Sequence, residues 1–160
     1  MDRALNELLF HTAFACMACD GDIAPEEVQL IKNLANKDKL FGNIDIYQEL
    51  DSLCQEVNVK GKIFLKEYFS LLASFQLEEV DELKILQVAA LTIHADNRIE
   101  YSEIRFFKII RSYLKVDDQT ILNVVKNIDS TYLAQDIKMD YLQLYNEYFD
   151  AIEISNLSLD

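Results

Sequence analysis

A chain of 160 residues with 51% apolar content is long enough to fill one core and too short for two comfortable domains. Fifteen basic and 28 acidic side chains give a formal net charge of −13, which repels nucleic-acid phosphates and anionic lipid and favours cations or basic protein surfaces as partners. With three glycines and one proline there is little turn chemistry for many short strands, so an all-α bundle of seven to eight helices is expected.

The first helix is predicted from about Asp2 to Cys19, and between Leu8 and Cys19 only His11 and Thr12 are polar, the pattern of a helix buried all round. Asp20 and Gly21 end it, glycine taking the left-handed backbone of a helix terminus at least cost. Pro25 suits the first position of a second helix running to Lys37, with Glu26 and Glu27 where the helix dipole favours anions. Gly42 and Asn43 close the next loop. A third helix over Asp45 to Val57 is expected to turn Tyr47, Leu50, Leu53, Cys54 and Val57 inward, and a fourth covers Ile63 to Phe75 after the break at Lys60-Gly61-Lys62.

Val80 to Ala95 form a second nearly apolar helix, followed by Asp96-Asn97 and by a helix that opens near Ser102 and Glu103. Asp117 caps a helix reaching about Ile128, Asp129-Ser130-Thr131 interrupts, and Met139 to Ile152 form a tyrosine-rich last helix. One domain over residues 1–153 with a frayed tail at 154–160 follows. No 18-residue apolar run is present, and the first residues lack the basic head and cleavage site of an export signal, so a cytoplasmic protein without membrane insertion is expected.

Residues 15–34, ACMACDGDIAPEEVQLIKNL, return 76 positions later as LTIHADNRIEYSEIRFFKII. Asp20 aligns with Asp96, Gly21 with Asn97, Ile23 with Ile99 and Glu27 with Glu103. Each copy reads as an apolar helix, a turn opened by aspartate, one buried isoleucine and a second helix with glutamate in its first turn. Such a duplication in a small domain suggests that the two apolar helices pack together and bring their acidic turns to one region.

The turn matches the back half of a calcium loop, D-G-x-I-x-x-x-E, in which glycine makes the bend and the glutamate binds bidentately. The front half is missing, since its ligand positions fall on Cys16 and Ala18 or on Thr92 and His94. Two readings stand side by side. In one, Asp20, Glu27, Asp96 and Glu103 converge on a divalent cation or a basic partner, joined by Asp22 and Glu100. In the other, the aspartates hydrogen-bond the N–H groups opening the next helix and the glutamates complement its dipole, each contact contributing about 0.5–2 kcal/mol.

The pattern C-M-A-C-D-G-D-I-A-P-E-E, with its echo A-D-N-R-I-E-Y-S-E, resembles the tellurite-resistance TerB-like family, whose mark is an alanine-rich helix ending A-x-A-D-G followed by I-x-x-x-E. The resemblance is strong over about 20 residues and looser over the second copy. It implies a helical bundle built on two such units, a metal-binding or otherwise functional acidic pole to which Asp20, Glu27, Asp96 and Glu103 correspond, and a role in metal or envelope stress, tellurite included. Asn97 in place of glycine and Arg98 beside Asp96 depart from the pattern and weaken the second half-site.

Cys16 and Cys19 have C-x-x-C spacing, yet zinc needs two more ligands and Cys54 is the only other thiol, so all three read as small core residues. His11 and His94 read as core histidines. No nucleophile stands beside a base and no phosphate loop occurs, so catalysis is not expected. A metal-free adaptor, recruiting a partner through the acidic, tyrosine-rich C-terminal helix, is the alternative function.

Overall fold

The computed structural model describes residues 3–37, 40–42, 44–95, 99–133, 141–154 and 157–159. Among these there are eight α-helices, one 3₁₀ turn and no strand: α1 Arg3–Ala18, α2 Pro25–Lys37, α3 Ile46–Lys60, α4 Lys62–Ser74, α5 Glu79–Ile93, α6 Tyr101–Ser112, α7 Asp118–Val124, the turn Ser130–Tyr132, and α8 Tyr141–Ala151. The all-α bundle expected from composition is therefore present.

The duplication is visible in the boundaries themselves. Helix α5 starts 76 positions after α1, and α6 starts 76 positions after α2. Helices α1 and α5 make the most extensive helix–helix contact in the molecule, as their apolar sequences require. From Leu8 to Cys19 every side chain but His11 is buried, and each such leucine or phenylalanine contributes about 2 kcal/mol of transfer free energy. Helix α4 packs on α1, α3 on α4, and α8 on α6, so that the buried residues form one continuous core.

Local chemistry explains most of the ends. Gly21, at φ 85°, stops the chain after α1, and Pro25 opens α2. Asp45 caps α3 by accepting from the Gln48 N–H at 3.2 Å, and Asp117 caps α7 by accepting from Thr120 at 2.8 Å. Gly61, at φ 61°, separates α3 from α4. Helix α7 ends at Val124, four residues before the expected Ile128.

Two expectations need correction. Tyr47 is 59% exposed, because α3 begins with a buried Ile46 and turns Tyr47 outward, where the Lys32 ammonium lies 4.9 Å from its ring centre. The end expected to fray from residue 154 is anchored at Ile154 and Leu157, both buried. Asn58 of α3 clamps Leu157 from both sides, its amide N–H donating to the Leu157 carbonyl at 2.8 Å and its oxygen accepting from the Leu157 N–H at 2.6 Å. Asn43, the residues preceding Tyr141, and Ser155, Asn156 and Asp160 lie outside the described residues.

Candidate functional site: the two acidic turns

The first turn joins α1 to α2. The Asp20 carboxylate accepts from the Asp22 N–H at 3.0 Å, a bond within the turn and not one to the opening of α2. Glu27, in the first turn of α2, is 3% exposed and its carboxylate accepts from the Ala24 N–H at 2.8 Å. Ile23 between them is buried.

The second turn repeats one of these bonds at the aligned positions. Glu103, 2% exposed, accepts from the Glu100 N–H at 2.9 Å. Here the exchange is reciprocal, Glu100 and Glu103 forming a capping box at the start of α6. Ala24 has no side-chain oxygen to return the bond at α2. Asp96, the remaining candidate ligand, lies outside the described residues, as do Asn97 and Arg98.

The described acids of the two copies do lie within electrostatic reach of one another. The Asp20 carboxyl is raised to about 6, chiefly by burial and further by Asp22 and Glu100, against the opposing bond from the Asp22 N–H. Glu100 belongs to the other copy. Glu103 and Glu27 together add to the burial that holds the Cys16 thiol well above its ordinary value, and both act on Cys19 as well. Tyr148 of α8 completes this junction, its hydroxyl donating to the Cys19 carbonyl. Two fully buried, protonated thiols thus lie at the seam of the duplication, with buried carboxylates from both sides.

The second isoleucine departs from expectation. Ile99 is 42% exposed whereas Ile23 is 5% exposed. The first turn has a close neighbour from the end of the chain: the Glu153 carbonyl, in the segment following α8, comes so close to Gly21 that a Cβ there would clash with it. Glycine at 21 is required by this approach as well as by its positive φ.

Three further polar residues carry more than the sequence indicated. Glu82 of α5 is 5% exposed and accepts from the Lys115 and Val116 N–H groups at 2.9 and 2.8 Å, fixing the chain between α6 and α7. Its signal was its place in the i, i+3, i+4 series that continues through the buried Ile85, Leu86, Ala89 and Ile93. His94 pairs through Nε2 with the Tyr132 hydroxyl at 3.0 Å, and burial lowers its pKa. Asn58 offers no sequence signal for its role.

Among the described residues, no group of three or more His, Cys, Asp and Glu side chains is arranged to hold a metal ion, and no helix is long and apolar enough to cross a membrane. Chemically, the pole offers carboxylates of two kinds. Glu27 and Glu103 already bond backbone N–H groups, while Asp20 is only half-buried and its charge is disfavoured where it stands. No protein-family model, curated protein or solved structure matches the chain.

Proposed function

We propose that the protein is a non-enzymatic, cytoplasmic binding module of the TerB-like kind, whose acidic pole receives positive charge. Asp20 is its principal ligand, Glu27, Asp96 and Glu103 supply the surrounding negative field, and a divalent cation is the occupant. The single observation that supports this reading is the Asp20 carboxyl, raised to about 6 by burial and by carboxylates of both copies. A cation there would relieve repulsion that Asp20 otherwise experiences at neutral pH. Metal or envelope stress, tellurite included, is the setting that the family resemblance implies.

The test is thermal unfolding at low ionic strength with millimolar calcium, magnesium, manganese or zinc. A ligand at 100 times its Kd stabilises the folded state by about 2.7 kcal/mol, which raises the Tm by roughly 5–10 °C in a domain this size. Asp20→Asn is expected to abolish the rise. If no metal acts but a short oligolysine peptide does, the positive charge belongs to a basic protein. If neither acts, the proposal fails.

The adaptor reading draws on one different observation. Leu142 of α8 is 69% exposed beside a cavity of about 230 Å³ lined by Ile109, Ser112, Tyr113, Leu142 and Tyr145. Tyr148 and Phe149 are buried in the core, so only part of the tyrosine-rich helix remains open to a partner.

A further inference from the structure

A second cavity, of about 210 Å³, lies between α1, α3 and α4 and has no part in the acidic turns. Its lining is His11 of α1, Glu56 of α3, and Phe64, Glu67, Tyr68 and Leu71 of α4. The Tyr68 wall is fixed, because its hydroxyl and that of Thr12 share a hydrogen bond of 2.7 Å inside the core. Glu56 and Glu67 are joined by one ammonium, the Lys60 Nζ standing 3.4 Å from the first and 3.0 Å from the second. The pair therefore already demonstrates the geometry needed to hold a single organic cation.

The field around the cavity has the same sign. Burial lowers the pKa of His11, while Glu56, Glu7 and Glu49 pull it back, so several carboxylates surround a largely neutral imidazole. Aromatic and aliphatic walls beside carboxylates suit a positive head on a short apolar stem. At about 30 Å³ per water the space equals roughly seven waters, which limits the stem to a few carbons.

We propose that this cavity binds a small alkylammonium or alkylguanidinium, its stem against Phe64, Tyr68 and Leu71 and its head taken by Glu56 and Glu67 in competition with Lys60. The experiment is a titration of the ¹⁵N-labelled protein with n-butylammonium chloride, followed by amide shifts, with n-butanol and sodium chloride in parallel. Saturable shifts confined to the cavity-lining residues are expected for the amine. Glu67→Gln weakens binding by at least about tenfold, since a charged hydrogen-bond acceptor is lost. Lys60→Met tightens it several-fold by removing the competitor. Both substituted side chains, Glu67 and Lys60, are on the surface, and unchanged amide spectra elsewhere will establish that the variants fold. Equal binding of n-butanol, indifference to Glu67→Gln, or shifts that sodium chloride reproduces would each overturn the proposal.

Discussion

The first hairpin, α1 to α2, and the second, α5 to α6, share a skeleton and differ in what covers it. Both begin at matching positions, and both place a buried glutamate on the backbone N–H three residues earlier. Yet Ile23 is enclosed and Ile99 is 42% exposed, and the aligned lysines part company: Lys32 lies over the ring of an exposed tyrosine, whereas Lys108 is 6% exposed. Local sequence therefore sets the hydrogen-bonded frame of the repeat. The surroundings of the two copies differ, and at the first turn one neighbour comes from the residues after α8.

The comparison can be broken most forcefully at Gly21. Gly21→Ala combines a positive φ with a clash against the Glu153 backbone and should destabilise by about 3 kcal/mol, lowering the Tm by roughly 6–12 °C. Denaturant titration measures this; a loss within about 0.5 kcal/mol, the range of ordinary surface substitutions, would mean that the C-terminal segment yields easily.

Next come the two glutamates. Glu27→Ala and Glu103→Ala each remove a buried carboxylate that accepts a backbone N–H and should cost about 1.5–3 kcal/mol in equilibrium unfolding. The two losses should be similar, because in Glu103→Ala the Glu100 carboxylate still accepts from the backbone N–H of residue 103, so that each variant loses one bond. A clearly larger loss for Glu103→Ala would show that the two bonds of the box support each other.

Asn58→Ala, which releases Leu157, should cost about 1–2 kcal/mol and should accelerate amide hydrogen exchange in the first turn more than at the start of α6. Matching acceleration at both would mean that the tail covers the two hairpins alike.

The smallest effect is pH-dependent. Asp20 titrates higher in the folded state than unfolded, so the folded chain binds the extra proton, and this contribution is complete below about pH 4 and lost as pH rises through about 6. Asp20→Asn keeps the acceptor oxygen and removes the charge. Its Tm should exceed that of the wild type at pH 7.5 by about 2 °C after allowance for solvent screening, and match it near pH 4.

Much of the frame was legible from the chain because its causes are local. The apolar runs of α1 and α5, Pro25 at the start of α2 and Asp117 ahead of α7 each act within a few residues. The choice between Ile46 and Tyr47 as the buried residue was not, since both are strand- and helix-tolerant apolar side chains and only the Asp45 cap fixes the register. The glutamates at 27 and 103 were visible as first-turn anions, but their burial depends on packing between the copies. The clamps from Asn58 to Leu157 and from Tyr148 to Cys19 join residues 99 and 129 positions apart and leave no periodic trace.

That last bond has a bearing on biosynthesis. The carbonyl after the most buried helix finds its donor in Tyr148, which leaves the ribosome 129 residues later. Contacts of such separation form late. A nascent chain that has not yet reached Tyr148 would therefore present the C-terminal end of α1 to water and to proteases, and that end is sealed only once α8 has docked.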